Sequence, residues 1–125
     1  MDENELSHVI IGCAVEVHRE LGSGLLEGIY EEALAYELAQ AGLTVVRQKN
    51  VPVIYKGVKL ASALRLDMLV NESVIVECKS HAETNPVFEA QCLTYLRLSG
   101  LKLGLVINFG KHLLRHGISR VVNKL

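Results

Sequence analysis

The amino-acid sequence predicts an α/β or α+β protein in which a mixed β-sheet core is flanked by helices. Apolar residues recur with a helical period in the N-terminal part of the chain and again near residue 90. Between and after these segments the apolar residues alternate with period two, as in strands. Half of the 125 residues are hydrophobic, which suffices for one domain and its core but not for two. We therefore expect residues 1–125 to form a single domain.

Two helices are predicted at the start of the chain. Residues 5–21 place their apolar side chains on one helical stripe, and the following Gly-Ser-Gly at 22–24 stops the helix. The second helix covers roughly residues 26–41, and Gly42 ends it. Both stripes predict burial against the same core.

Four strands are predicted next, at residues 43–48, 51–57, 64–70 and 73–80. Pro52 lacks the N–H that a central strand needs, which places its strand at a sheet edge or puts Pro52 at the strand's start. Runs of strands that follow paired helices favour a sheet with helices packed against it.

A third helix is predicted after these strands, and one more strand follows it. Asn85 is a candidate N-cap, Pro86 suits the first helical position, and Gly100 lies beyond the end of the helix. Residues 102–109 then form an apolar run that fits a buried strand. The segment 112–122 stays ambiguous between a loop and a last hairpin. The predicted order is α-α-β-β-β-β-α-β.

Composition excludes several classes of protein. The formal net charge is -1 and there is no basic tail, so any contact with nucleic acid must be local. The three cysteines are odd in number and form no C-x-x-C, which argues against a disulfide framework or a zinc knuckle. No apolar run approaches the roughly 20 residues of a membrane span. We expect no membrane contact and a reducing, cytoplasmic location.

Two neighbouring predicted strands contain charged side chains within apolar runs. The apolar residues of the first strand share one face: Leu66, Met68 and Val70. Asp67 lies on the opposite face of that strand. In the second strand Glu77 and Lys79 share a face, while Cys78 between them points the other way and is expected in the core.

The apolar pattern also predicts how the two strands pair. A three-residue loop at 71–73 places Met68 opposite Val76 and Asp67 opposite Glu77. A two-residue loop would pair Asp67 with Val76 and mix the apolar and polar faces. The favoured register therefore brings the two carboxylates together.

Two opposed carboxylates in a sheet need compensation. At a Cβ separation of about 5 Å they repel by about 3 kcal/mol at an effective dielectric near 20. A shared proton, Lys79 or a divalent cation would each relieve this repulsion. Asp and Glu oxygens are hard ligands that suit Mg²⁺ or Mn²⁺. The alternative, a strand with a solvated charged face, stays open at this point.

Three further polar residues lie on apolar helical stripes. Glu27 shares a stripe with Tyr30, and Gln91 and Tyr95 lie one turn apart on the third helix. For Glu27 the alternative is an acid that complements the helix dipole. For Gln91 and Tyr95 it is a surface polar pair. A functional role would be to orient water or phosphate.

These residues resemble a known family. The segment GLLEGIY at 24–30 matches the pattern of the GxxExxY proteins, with Gly24, Glu27 and Tyr30 in place. The similarity extends over nearly the whole chain, including the segments around the Asp67–Lys79 hairpin and the third helix. That family is placed in the PD-(D/E)XK nuclease-like superfamily. The resemblance implies a restriction-endonuclease-like mixed sheet.

The resemblance also implies roles for six residues of this chain: Glu27, Asp67, Glu77, Lys79, Gln91 and Tyr95. It implies that Asp67, Glu77 and Glu27 bind Mg²⁺ or Mn²⁺. It implies that Lys79 positions the nucleophile, and that Gln91 and Tyr95 orient the site.

The expected function is therefore Mg²⁺-dependent hydrolysis of phosphodiester bonds in DNA or RNA. The alternative is a catalytically weak or inactive module that keeps the fold and binds nucleic acid or a protein partner. Basic residues are scattered along the sequence, and small nuclease domains often need a dimer or a partner to grip their substrate. A homodimer and a complex with a partner protein both stay open.

Overall fold

The chain folds into one five-stranded sheet with helices on both of its faces. A computed structural model describes all residues, 1–125. None of its helices has the length and apolar character that a membrane crossing requires. The elements are α1 (Glu3–Leu21), α2 (Glu27–Gln40), β1 (Val45–Tyr55), β2 (Val58–Val70), β3 (Val74–Lys79), α3 (Pro86–Ser99), β4 (Leu103–Asn108), a 3₁₀ turn (Leu114–His116) and β5 (Ile118–Val122).

The strands lie in the order β1-β2-β3-β4-β5, so β3 is the central strand. β3 and β4 run parallel, whereas the other three neighbouring pairs are antiparallel. A parallel pair needs a crossover connection, and α3 supplies it. The mixed sheet with flanking helices confirms the predicted fold class.

Two apolar cores lie on opposite faces of the sheet. The larger one joins α1 and α2 to one face and includes Leu6, Ile10, Leu34, Leu38, Met68, Val76 and Cys78. The smaller one joins α3 to the other face: Leu66, Ile75, Cys92, Leu96, Val106 and Val121. Fully burying one such leucine or isoleucine contributes about 1.5–3 kcal/mol. Cys78 is in the core, as its position in the strand predicted.

The ends of α3 follow from its capping residues, as predicted. The side chain of Asn85 accepts a hydrogen bond from the N–H of Val87 (N···O 3.0 Å), and Pro86 is the first helical residue. Gly100 ends the helix in the left-handed region at φ 74°, where a side chain would be strained. These caps fix where α3 crosses the sheet.

The prediction of four strands before α3 is wrong in one respect. Residues 43–48 and 51–57 belong to a single long strand, β1, so the observed order is α-α-β-β-β-α-β-β. Gln48 has φ 51°, yet Arg47 and Lys49 on either side of it keep their pairing with β2. Pro52 lies on this strand, which is at the edge of the sheet as predicted.

The ambiguous segment 112–122 contains a 3₁₀ turn followed by β5. β5 pairs antiparallel with β4, so the C-terminal segment forms the second edge of the sheet. The polar and glycine residues before it form a longer connection than a tight hairpin turn.

The β2–β3 register is the predicted one, with Val70 opposite Val74 and Met68 opposite Val76. The predicted face of Leu66 is wrong, because Leu66 packs in the α3 core while Met68 packs in the α1–α2 core. The regular pairing of β2 stops at Asp67, and the alternation of faces shifts there. The position at which β2 becomes irregular is therefore that of Asp67, a candidate site residue.

Candidate active site

At Asp67 and Glu77 the hydrogen bonds between β2 and β3 change from backbone–backbone bonds to bonds between backbone N–H groups and side-chain carboxylates. The regular pairing ends at Met68 and Val76. Beyond it the N–H of Asp67 donates to Oε2 of Glu77 (N···O 2.8 Å), and the N–H of Cys78 donates to Oδ2 of Asp67 (N···O 2.9 Å). Each carboxylate thus accepts a backbone N–H from the opposite strand. The two side chains are held between the strands.

Burial makes this carboxylate pair costly to ionise. Burial, followed by the charge of Asp67, raises the pKa of Glu77 to about 8. The pKa of Asp67 is also raised, first by burial, although the hydrogen bond from Cys78 opposes the shift. Lys79 lowers the pKa of both groups but does not cancel the effect of burial. Without a bound cation, the pair therefore holds a proton near neutral pH.

We predict that the metal-free protein loses stability as the pH rises. The pKa of Glu77, about 8 in the folded protein, lies above its ordinary value of 4.5, so the folded state binds more protons between these values. The free energy of unfolding should fall across this window, by roughly 1 kcal/mol per pH unit where the slope is steepest. Urea unfolding in EDTA between pH 5 and 9 measures it.

Glu77→Gln is the control for this prediction. The amide oxygen can still accept the hydrogen bond from Asp67, but the side chain no longer titrates. The variant should show a flatter dependence on pH and should be more stable than the wild type at pH 9. If the free energies of unfolding of the two proteins changed equally with pH, the assignment of this pH dependence to Glu77 would be contradicted.

Lys79 lies on the same face of β3 as Glu77 and reaches toward α3. Its Nζ lies 5.0 Å from the centre of the Phe88 ring, a distance suited to a cation–π interaction. Phe88 is in the first turn of α3, and its position follows from the Asn85 cap. The ring holds the ammonium group beside the carboxylates, and Lys79 remains partly accessible to solvent.

Tyr95 and Gln91 lie on α3 above this face of the sheet. Burial raises the pKa of the Tyr95 hydroxyl, and the charges of Glu77 and Asp67 raise it further, so Tyr95 lies within the range of both charges. The phenol thus stays protonated and able to donate a hydrogen bond. Gln91 is exposed, one turn before Tyr95, and its side chain makes no hydrogen bond within the protein.

Glu27 lies at the first position of α2 and contacts His81, not the carboxylate pair. Its Oε1 is 3.2 Å from Nε2 of His81, and both side chains are about half exposed. The charge of Glu27 still raises the pKa of Asp67, as the last of several causes. The structure thus places Glu27 near the site but not within contact of the pair.

Tyr30 fixes the start of α2 and so the position of Glu27. The Tyr30 hydroxyl donates to the carbonyl of Gly22 (O···O 2.5 Å) and accepts from the N–H of Leu25 (N···O 3.2 Å). Its ring stacks on Phe109 with a centroid distance of 4.6 Å. The Tyr of the GLLEGIY segment is therefore a structural residue that holds the α1–α2 loop against the core.

Glu31 was missed by the sequence analysis. It is buried on α2, and its charge raises the pKa of both Asp67 and Glu77. Arg47 and Gln48 of β1 hydrogen-bond to it, Gln48 at an N···O distance of 2.8 Å. A signal existed, because Glu31 follows Glu27 by one helical turn on the buried stripe.

Asn108 anchors the segment that follows Lys79. It is buried at the end of β4, and its Oδ1 accepts hydrogen bonds from the N–H groups of His81 (2.9 Å) and Gly110 (3.0 Å). A Cβ at Gly110 would lie 2.3 Å from the carbonyl oxygen of His81, so only glycine fits there. These contacts fix His81, the partner of Glu27.

The donor atoms of the pair fit a divalent cation. The second oxygen of each carboxylate, Oδ1 of Asp67 and Oε1 of Glu77, accepts no hydrogen bond from the protein. Mg²⁺ is usually bound by one or two carboxylates and keeps several waters. A cation would also offset the cost of burying the two negative charges, which is the largest cause of both raised pKa values. No group of three or more His, Cys, Asp or Glu side chains is placed to hold a metal ion.

The structure therefore brings together Asp67, Glu77, Lys79 and Tyr95. It places Glu27 at the edge of this group through His81, and Gln91 on the adjacent exposed turn of α3. Asp67 and Glu77 are the two residues whose free oxygens are suited to an ion.

Comparison with known proteins gives one match. A family model described as the PD-(D/E)XK nuclease superfamily matches residues 4–121. The match covers all three helices and all five strands except the first residue of α1 and the last residue of β5. No curated protein and no solved structure matches the chain.

Proposed function

This chain belongs to the PD-(D/E)XK nuclease superfamily, and on that premise we propose that it is a Mg²⁺- or Mn²⁺-dependent nuclease of the GxxExxY group. Its five-stranded mixed sheet and three helices are consistent with a restriction-endonuclease-like fold. The reaction would be hydrolysis of a phosphodiester bond in nucleic acid. We assign the whole chain, 1–125, to one catalytic domain.

One observation carries this proposal. The buried Glu77 and the partly buried Asp67 meet between β2 and β3, each with one oxygen free, and the ammonium group of Lys79 lies on the same face as Glu77. Such a pair is unfavourable for folding unless a proton or a cation is bound. A site with two such destabilising negative charges suits the binding of a divalent cation, which would neutralise them.

In the proposed mechanism Asp67 and Glu77 hold the cation. When bound, the cation supplies Lewis acidity that activates water at neutral pH and neutralises charge on the phosphate. Lys79 stabilises negative charge on the attacking oxygen and in the transition state. Its attraction to the Phe88 ring limits the positions that the ammonium group can take.

Four further residues complete the proposed site. The protonated Tyr95 hydroxyl donates a hydrogen bond to a phosphate oxygen, and Gln91 orients the substrate from the adjacent turn. Glu27, held by His81, supports the cation through its water shell. Glu31, buried on α2, adds negative charge near the pair, which strengthens the attraction for a divalent ion.

We expect cleavage of DNA or RNA by the wild-type protein in Mg²⁺ or Mn²⁺ and none in EDTA. Labelled single-stranded and double-stranded substrates, separated on a denaturing gel, measure the products. Addition of excess Mg²⁺ after EDTA should restore the activity. Cleavage that persists in EDTA would contradict the proposed role of the carboxylate pair.

The second candidate is a catalytically weak or inactive module that binds nucleic acid or a protein partner. The observation in its favour is that only two carboxylates, without a third His, Cys, Asp or Glu, are placed for an ion. A Mg²⁺ titration separates the two candidates. A rise in melting temperature supports the nuclease, and no response favours the binding module. The cytoplasmic location stays a prediction.

A further inference from the structure

Residues 49–65 form a two-stranded ribbon, called the ribbon below, that extends beyond the rest of the sheet. β1 and β2 pair with each other as far as Tyr55 and Val58, whereas β3 pairs with β2 only at residues 68–70. Most side chains of the ribbon are exposed. Its turn has positive φ at Lys56 (50°) and at Gly57 (79°), as in a type I′ hairpin turn.

The ribbon lies within the most basic part of the chain. Residues 38–66 contain no acidic residue and five basic ones: Arg47, Lys49, Lys56, Lys59 and Arg65. The chain as a whole has a net charge of -1, so the remainder is acidic. None of the three lysines has a carboxylate within salt-bridge distance. Four of these five basic residues, all except Arg47, lie on the ribbon.

Apolar side chains accompany these charges near the tip. Ile54, Tyr55 and Val58 are 57%, 59% and 61% exposed. A two-stranded ribbon on its own is marginally stable in water, and exposed apolar groups add to the cost. Such an arm suits a ligand that is both anionic and apolar. Nucleic acid offers phosphates at its surface and base edges, including thymine methyl groups, in its grooves.

The dimensions of the ribbon fit duplex DNA. The ribbon continues the strand that contains Asp67, and its tip lies about ten residues further along, or about 30 Å at 3.3 Å per residue. One turn of B-DNA is about 34 Å long, and its major groove, about 12 Å wide, admits a two-stranded β-ribbon. The deep, narrow major groove of duplex RNA does not.

We propose that the ribbon binds the major groove of double-stranded DNA, with Lys49, Lys56 and Lys59 on the phosphates. This inference rests on the proposed function, since it supplies the substrate class for that site. The ribbon and Asp67 share one strand, so DNA held by the ribbon lies beside the carboxylate pair.

The test compares two triple variants that each remove three positive charges. One is Lys49→Gln, Lys56→Gln and Lys59→Gln in the ribbon. The control is Lys102→Gln, Arg115→Gln and Lys124→Gln, all of them exposed positions outside it. Both are made in a Lys79→Ala background, so that binding can be measured in Mg²⁺ without cleavage. Fluorescence anisotropy with one labelled sequence, as duplex DNA and as duplex RNA, gives the affinities, and circular dichroism checks the fold.

We expect the ribbon variant to bind duplex DNA at least tenfold more weakly. The logarithm of the association constant falls linearly with the logarithm of the salt concentration, and this slope should be smaller in magnitude by about 2–3 than for the parent. Three phosphate contacts are lost, and each contributes about 0.9 to the slope. The control variant should bind nearly as tightly as the parent, and the parent should prefer duplex DNA to duplex RNA.

Four outcomes would overturn the inference. The first two are an unchanged affinity of the ribbon variant for duplex DNA and an equal loss of affinity in the control variant. The other two are equal affinities of the parent for duplex DNA and duplex RNA, and a ribbon variant that loses only self-association. The last would identify the ribbon as a contact between two copies of the chain. The proposed function is judged separately, by cleavage with the wild-type protein. The three ribbon substitutions are also made with Lys79 intact for this purpose. If that protein retains full Mg²⁺-dependent cleavage of duplex DNA, the role of the ribbon is refuted and the proposed nuclease function is not.

Discussion

Lys79→Ala is expected to reduce nuclease activity by on the order of 10²–10³-fold, the effect of removing one group that stabilises charge in a transition state. Lys79 is the cationic side chain that lies beside Asp67 and Glu77 on the face of α3. Its removal leaves the bound cation without the side-chain positive charge that also stabilises the attacking oxygen. The measurement is the single-turnover cleavage rate at saturating Mg²⁺.

Saturating metal matters because Lys79 also lowers the pKa of both carboxyl groups. Without the lysine the pair binds its proton more tightly, and Mg²⁺ must displace it. The variant should therefore need more metal as well as react more slowly. The two effects separate in a metal titration, since only the loss in rate remains at saturation.

Lys111→Ala is a matched control for this experiment. Lys111 is also partly buried, with its side chain 24% exposed, and it pairs loosely with Glu83 at 3.9 Å. Both variants should stay folded, because neither lysine belongs to an apolar core. Equal loss of activity in the two variants would show that Lys79 has no special role.

Asp67→Asn should abolish the stabilisation of the protein by Mg²⁺ and reduce cleavage by on the order of 10³-fold or more, a loss of several kcal/mol of charge stabilisation. At a metal concentration of 100 Kd, ligand binding stabilises a folded protein by about 2.7 kcal/mol. For a chain of this size that corresponds to a rise in melting temperature on the order of 10 °C. Differential scanning calorimetry with and without Mg²⁺ measures the difference.

The same variant should be no less stable than the wild type when metal is absent. The amide side chain that Asp67→Asn introduces keeps an oxygen that can accept the hydrogen bond from Cys78, and the change removes one of two repelling charges. Glu72→Gln, an exposed change in the β2–β3 turn, is the control and should retain the full response to Mg²⁺. A wild-type melting temperature that ignores Mg²⁺ would contradict the proposed site.

The fold was predictable where local signals and burial agree. The Asn85 cap, Pro86 and Gly100 defined α3, and the apolar alternation defined the β2–β3 register. The strands at the start of the sheet were divided wrongly because the ribbon is covered on neither face. Without a buried face, nothing in its sequence has to alternate.

The arrangement of the candidate site residues was predictable only in part. The approach of Asp67 to Glu77 follows from the β2–β3 register, and the shared face of Glu77 and Lys79 follows from alternation along β3. The break in the alternation of β2 at Asp67 had no signal in the sequence. Glu31 was overlooked because a glutamate in a helix usually faces solvent. Its burial depends on Arg47 and Gln48 of β1, which are distant in sequence.

The unfavourable carboxylate pair is the centre of the proposed function. Burial raises the pKa of both residues, and the charge of Asp67 raises that of Glu77 further. Both carboxylates accept hydrogen bonds across the strands and leave one oxygen each for a ligand. A purely structural hairpin would gain stability by replacing either residue with its amide, which keeps the hydrogen bond from the other strand and removes a charge. We therefore interpret the pair as a feature that lowers the stability of the protein and is required for its function.

A crystal of the protein soaked in Mn²⁺ tests this claim most directly. Anomalous diffraction locates the ion without reference to activity, fold stability or substrate. We expect one anomalous peak within coordination distance of both Asp67 and Glu77, and its loss in Asp67→Asn. A fully soaked crystal with no peak at these two carboxylates, or with its peak elsewhere, would contradict the claim.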